Sequence, residues 1–560
     1  MKKSLTILIF VFIAGMFYYL TIFSKDNIDI EDIEPIDISV DSNQVHNNKP
    51  AKNTMPGVIR AGVNKPSTSI IRSTVDSGDE PEYISDILDS RIDRQKDAIA
   101  GERILTFYDE NDLKSFINIA ENNGIVIIDS LNSMNSVRIK ITDKDALKKV
   151  LRNAPAPIES GGNYEMYPPN PENLPDIDSP IAKQQNKAFG NALSWIGIVG
   201  DNKDFGKGVL VAVLDSEVAR NSSLKDSYDK VIHITSGNED EKHGTSVATI
   251  IAGNGNVSKG VAPSAKILSI DVVDADGKGN TFDIAKGIKK AVDAGAKVIN
   301  ISMGSYGDSA IVRQAVDYAT ANDVVIVAST GNDSKQVAYP AAYDDVIAVG
   351  AVDASSIITS FSNYGSEVDI VAPGLFVETS DPADNKTYFS GTSAAAPFVS
   401  GAIAALISER SDVSPIAAAK LIVDTANDVG IPGDDQLYGA GTLDLGRALN
   451  SNKEGIFDMA AGQPSISYDV GVAPALMLFV QNRGTEYIAN AEMDVAINGT
   501  TTTVDFGGVE VGQTVSKELL LDSYLSPGVK TIVVDYEAKM NGQTDSILSN
   551  NRFHAEFQRR

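Results

Sequence analysis

Apolar and polar positions change their rhythm several times along this chain. Leu5 to Phe23 is an uncharged apolar run framed by Lys2, Lys3 and Lys25. That length approaches a bilayer span, and the flanking lysines place everything after residue 25 outside the cell. No small-x-small cleavage pattern follows Thr21-Ile22-Phe23-Ser24-Lys25, so residues 1–24 read as a retained signal anchor in preference to a cleaved signal peptide. Residues 25–100 then lose any sustained period: an acidic run from Asp26 to Glu34 with isolated Ile gives way to Pro, Asn, Ser and Thr. Such a segment buries too little apolar surface to offset its ordering entropy, and it reads as a disordered acidic spacer.

From residue 101 to 167 the period returns. Arg103–Tyr108, Gly124–Asp129, Ser136–Ile141 and Asn163–Tyr167 alternate as strands, and Glu110–Asn122 and Asp143–Arg152 carry helical spacing. The order β-α-β-β-α-β predicts a compact α+β unit. A Pro-rich linker over residues 168–185 follows. Residues 186–452 alternate apolar strand runs with helical stretches. The strands are Val209–Leu214, Ala265–Val273, Lys297–Ile301, Val324–Ala328 and Val346–Gly350; the helices are Thr245–Gly253, Thr281–Ala294, Ser309–Asn322 and Ser393–Ser408. Continuous apolar strands between helices predict an α/β domain, a parallel sheet with helices on both faces and its site beyond the C-terminal strand ends. Over residues 456–560 the helical signal stops. Short strands at Ala475–Gln481, Ala491–Ile497, Thr501–Phe506, Val515–Leu521 and Lys530–Tyr536, with turns at Asn498-Gly499 and Pro527-Gly528, predict a C-terminal β-sandwich.

Composition narrows the chemistry. The chain of 560 residues carries a formal charge of −27, which excludes nucleic acid as a partner, since a phosphate backbone needs clustered Lys and Arg. The absence of Cys excludes disulfides, thiolate metal sites, a Cys nucleophile and a lipoprotein anchor. Of the four His, only His233 and His243 fall in the α/β domain. His233 sits in the strand-like run Val231-Ile232-His233-Ile234 and reads as structural. His243 opens a helical stretch of small residues, His243-Gly244-Thr245-Ser246, where an imidazole can be aimed out of a fixed backbone. Asp215 closes the apolar strand Val209–Leu214, and a carboxylate there needs partners. Ser393, in Gly391-Thr392-Ser393-Ala394-Ala395-Ala396-Pro397, stands at a helix start that presents both its Oγ and its amide. Each taken alone has a plain reading: a strand-ending Asp, a helix-start His, an N-cap Ser.

Together, the blocks around Asp215, His243 and Ser393 resemble the three signatures of the subtilisin-like serine proteases, in that family's order of Asp, His, Ser. Gly260-Val261-Ala262-Pro263, Val298–Gly304, Ala328–Asn332 and Ile347–Val352 extend the resemblance over residues 185–450. It implies a serine endopeptidase with a subtilisin-like parallel sheet. Ser393 would be the nucleophile, His243 its base, Asp215 the imidazole's support and Asn332 the oxyanion donor. A polypeptide substrate would lie extended between Gly277-Lys278-Gly279 and Ser302-Met303-Gly304, with Ala328, Ser329, Thr330 and Gly331 lining the pocket for the residue before the scissile bond. Ala338, where the family often has Gly, implies a smaller pocket. Residues 101–167 resemble the family's inhibitor-type prodomain, an intramolecular partner removed by self-processing; the C-terminal region resembles adhesion-like modules of exported bacterial enzymes. The chemistry implies no required cofactor. Structural calcium is a family habit that Asp271, Asp274 and Asp276 invite without a diagnostic ligand spacing. Glu217 departs from the pattern, since the family has Gly after Asp215-Ser216. It hints at one alternative to an active enzyme, an inactive subtilase scaffold; a second is a surface adhesion protein whose C-terminal module supplies the main function.

Overall fold

The protein was studied as a computed structural model. It describes residues 81–558, apart from 169–170, 172–173, 175–191, 199, 236–241, 256, 432, 463, 468–474, 522–523 and 525–530. The signal anchor, most of the spacer and most of the Pro-rich linker lie outside the described residues.

The N-terminal unit begins earlier than the hydrophobic pattern implies. Helix α1 (Glu82–Ile87) precedes β1 (Ala98–Thr106), α2 (Glu110–Asn122), β2 (Val126–Leu131), β3 (Ser136–Lys140), α3 (Lys144–Asn153) and β4 (Glu159–Met166). The spacer expected over residues 25–100 therefore overruns ordered structure. Ile84 and Ile87 are fully buried in the same core as Leu105, Phe116 and Leu151. The buried Arg103 guanidinium ties this segment down by donating to the Ile87 and Asp89 carbonyls and pairing with Asp93 at 2.8 Å. Both long helices start on an aspartate, Asp109 and Asp143, whose carboxylates accept two early backbone N–H groups each.

The central domain runs α4 (Ala192–Trp195), β5 (Leu210–Asp215), β6 (Tyr228–His233), α5 (Lys242–Ala252), β7 (Lys266–Asp271), β8 (Gly279–Asn280), α6 (Thr281–Asp293), β9 (Val298–Ile301), α7 (Ala310–Ala321), β10 (Val325–Ser329), β11 (Val346–Val352), β12 (Ile370–Pro373), the hairpin β13 (Val377–Ser380) and β14 (Lys386–Phe389), α8 (Thr392–Glu409), α9 (Pro415–Asp424) and α10 (Leu445–Asn450). Its sheet has seven strands in the order β12-β11-β10-β9-β5-β7-β6, all parallel pairs. Alternate residues of β5 feed the two layers: Val211 and Val213 pack with α5 and α8, Ala212 and Leu214 with α6. Helix α8 is apolar all round because it is the core helix between sheet and surface; by length and composition it alone among the described residues could cross a membrane, and it is buried.

Beyond residue 458 the chain forms two antiparallel sheets around one core. One joins β15 (Met459–Ala461), β16 (Ser465–Ser467), β17 (Ala475–Asn482) and β20 (Thr514–Leu520). The other has the order β19 (Thr500–Val509), β18 (Ile488–Ile497), β21 (Thr531–Met540), β22 (Arg552–Gln558).

Candidate active site

The C-terminal end of β5 delivers Asp215, and the first turn of α5 delivers His243. Asp215 is fully buried, and His243 Nδ1 lies 2.8 and 2.9 Å from its two carboxylate oxygens. The carboxylate also accepts the Ser216 amide at 2.7 Å. The Ser216 hydroxyl in turn accepts the Gly244 amide at 3.0 Å, which locks the strand end to the helix start. At Gly244 a Cβ would stand 2.1 Å from the Ser216 carbonyl oxygen, so only glycine allows this approach. Phe389 lies edge-on to the imidazole, ring centroids 5.1 Å apart. The other ring nitrogen, Nε2, is buried and has no hydrogen-bond partner among the described residues.

Ser393 is the second residue of α8 and is buried. Its hydroxyl does not reach for His243. It donates instead to the Ser302 carbonyl at 3.0 Å. The same Ser302 serves Ser393 twice. Pro397 has no N–H to give the carbonyl four residues before it, which is that of Ser393; the Ser302 hydroxyl donates to that orphaned oxygen at 3.2 Å. Asn332 accepts both the amide and the hydroxyl of Thr392 on Oδ1, each at 2.9 Å, which fixes the carboxamide beside the start of α8. Its Nδ2 lies 2.8 Å from where a Cβ on Gly391 would be.

The residues expected to hold substrate border a filled groove. Met166 pairs antiparallel with Gly279, and Glu165 with Asn280. On the other side Tyr167 exchanges two backbone hydrogen bonds with Gly304, at 3.3 and 3.2 Å. The end of β4 is thus an extended strand between the two expected edges, and β8 makes it part of a five-stranded sheet, β2-β3-β1-β4-β8. Gly277 has φ +77° in the tight turn before β8. Met303 is buried in one core with Met166. Ala328, Ser329, Thr330 and Ala338 are buried, and Gly331 has φ +106°. A Cβ on Gly331 would sit 3.6 Å from the Ala338 methyl.

The N-terminal unit is fastened around this strand. Asn163 Oδ1 accepts the Thr281 hydroxyl at 2.9 Å and the Phe282 amide at 3.2 Å, adding a second cap to α6 beside Asn280. Asp97 takes the Glu165 amide on its carbonyl at 2.7 Å and the Tyr306 amide on its carboxylate at 2.8 Å. Lys96 lies 3.6 Å over the Tyr306 ring and 3.6 Å from Asp333. Lys286 and Asp129 pair at 2.6 Å. Burial, with Asp97 beside it, pushes the Tyr167 hydroxyl up to about 12.

The structure gives His233 and the calcium candidates their neighbours. His233, read as structural, lies 3.3 Å from Asp271 Oδ2 and 3.7 Å from Glu217 Oε2. The calcium trio does not assemble. Asp274 Oδ1 is taken by the Asp276 and Lys278 amides, and Asp271 turns to His233. Phe389 and the dual role of Ser302 gave no signal in the sequence, because each acts through a neighbour distant in the chain; Ser216 stood in the block with Asp215, but its bond to Gly244 was not legible there.

Residues 206–441 match the subtilase family. Subtilisin BL from Lederbergia lenta is 38% identical over 243 residues, which are 42% of this chain and 89% of that protein. The thermophilic serine proteinase of Bacillus sp. strain AK1 is 31% identical over 380 residues, 65% of this chain and 91% of that protein. The crystal structure of the epidermin leader peptide processing serine protease from Staphylococcus aureus aligns with a TM-score of 0.51 at 22% identity, covering 63% of this chain and 99% of that one, a likeness of fold. Parallel sheet and relatives together define a serine endopeptidase of subtilisin type. The chain belongs to the subtilase family.

Proposed function

We propose that the chain is an exported zymogen that hydrolyses peptide bonds through an acyl-enzyme formed on Ser393. In this reading His243 Nε2 takes the Ser393 proton and passes it to the leaving amine, while Asp215 holds the tautomer through Nδ1. Asn332 and the Ser393 amide, one of the unpaired N–H groups at the start of α8, receive the oxyanion. The Ser393 hydroxyl leaves the Ser302 carbonyl as it engages the imidazole.

The observation that carries the zymogen reading is the strand at Glu165–Tyr167, which lies in the groove as a substrate would. Residues 101–167, with α1 added, are in this reading an inhibitory prodomain, and self-processing in the Pro-rich linker opens the enzyme. The apolar N-terminal run supports export and membrane attachment, so processing would also free the protease from its anchor. The two-sheet C-terminal region serves as an accessory β-sandwich module. The buried Ala338 supports a narrow pocket, to be read from the ratio of cleavage after Ala and after Phe in a peptide series.

A serine-directed fluorophosphonate probe tests the whole reading on the full chain. Labelling together with cleavage between the two units, both lost in Ser393→Ala, is the expected result. A folded wild-type chain that is neither labelled nor cut would overturn it.

A further inference from the structure

Glu217, His233 and Asp271 come from three places in the chain and meet on one side of the sheet. Strand order is the reason: β5, β7 and β6 are neighbours, and the register sets Asp215 beside Asp271 and Asp271 beside His233. Glu217, two residues past the end of β5, swings its carboxylate into the same space. One donor atom from each residue lies within 4.8 Å of the others.

Both carboxylates stand within ion-pair distance of His233, yet the contacts are long for closed charge-assisted bonds and leave room for a shared ion. A charge-assisted N–H···O bond closes to roughly 2.7–2.9 Å, whereas His233 Nδ1 stands 3.3 Å from Asp271 and 3.7 Å from Glu217. Ligands bound at about 2.0–2.1 Å around a tetrahedral ion are separated by roughly 3.3 Å. Electrostatics agree. The Asp271 side chain is fully buried, and it has no Lys or Arg partner among the described residues. Among the described residues its carboxylate makes hydrogen-bond contacts with the His233 ring and the Val273 amide, both at 3.3 Å. A buried carboxylate facing a second carboxylate calls for a cation. Burial, with Glu217 adding to it, pushes the Asp271 carboxyl up. His233 and Glu217 are 49% and 29% exposed, which leaves an entry path and room for water ligands.

We propose that Glu217, His233 and Asp271 bind one divalent first-row transition ion of the zinc class, immediately beside the strand end that carries Asp215. The imidazole donor selects against calcium, a hard ion that takes oxygen ligands. The site stabilises the folded chain by mass action when the ion is present.

The test uses the full chain carrying Ser393→Ala, purified without a polyhistidine tag, and titrated with Zn²⁺ by calorimetry and with Co²⁺ by visible absorption. One ion per chain is expected. His233→Asn and Asp271→Asn should each weaken it by about tenfold or more, and Glu217→Gly should weaken it as well. His243→Ala should leave it in place, and excess Ca²⁺ should not displace Co²⁺. Because Asp271→Asn alters a buried site, His233→Asn and Glu217→Gly, at residues that are partly exposed, decide the matter: Zn²⁺ should raise the Tm of the parent and not theirs. No binding by the parent overturns the proposal. So does binding that survives both of these variants, that depends on His243 instead, or that yields to Ca²⁺.

Discussion

Two aspartates stand side by side at the ends of β5 and β7, both fully buried, and each faces a histidine. Their surroundings send them different ways. Asp215 meets an imidazole held at the first turn of a helix, 19% exposed, with its Nδ1 at 2.8 Å. The Ser216 amide shares the carboxylate, and Phe389 flanks the ring, so the pair is closed and directional. Asp271 meets an imidazole on the sheet's edge strand, 49% exposed and 3.3 Å away, with a second carboxylate at hand. The residue types are the same. What separates the proposed proton-handling pair from the proposed cation-binding set is the length of the contact, the rigidity of the element behind the histidine and the company of other charges.

The sharpest way to break this comparison is to neutralise each aspartate. Asp215→Asn is expected to lower turnover on a peptide substrate by about 10⁴-fold, by presenting the wrong tautomer. Asp271→Asn should stay within about tenfold in the same assay, and a comparable loss would make the two corners one functional unit. Next in size, Asn332→Ala should reduce kcat by about 10²- to 10³-fold with little change in KM, whereas Glu217→Gly, its counterpart beside Asp271, should leave kcat nearly intact. The smallest effect is thermodynamic. Ser302→Ala removes the hydroxyl that satisfies the Ser393 carbonyl and should cost about 1 kcal/mol in chemical denaturation, against a smaller loss for the half-exposed His233→Asn in metal-free buffer.

The first corner was legible in the sequence and the second was not. Asp215, His243, Asn332 and Ser393 each lie in a run of small and apolar residues that local rules require: an apolar strand ending in a carboxylate, a helix start that only Gly244 allows, a Gly391 that leaves room for Asn332. Alternation and helical spacing also placed β5, β7, β9, β10, β11 and helices α5 to α8 of the α/β domain, and the strands and two long helices of residues 101–167, but not β12, α9 or α10. Helix α1 escaped because Arg103, the partner that orders it, comes later in the chain. The hairpin β13–β14, which supplies Phe389, is too short to show a period. Glu217, His233 and Asp271 each drew attention separately, as a departure from the family pattern, a strand histidine and a calcium candidate. Their meeting depends on β7 lying between β5 and β6, and strand order is not written in any local stretch.

The two-residue strand β8 has a consequence for selectivity. It and Gly304 hold their neighbour through main-chain groups, atoms that every amino acid possesses. These main-chain contacts fix direction and register whatever the side chains, while Met303 packing with Met166 and Lys278 pairing with Glu165 at 2.8 Å add side-chain contacts at the same walls. In the proposed reading, discrimination at the residue before the scissile bond rests on the volume that Gly331 and Ala338 leave between them.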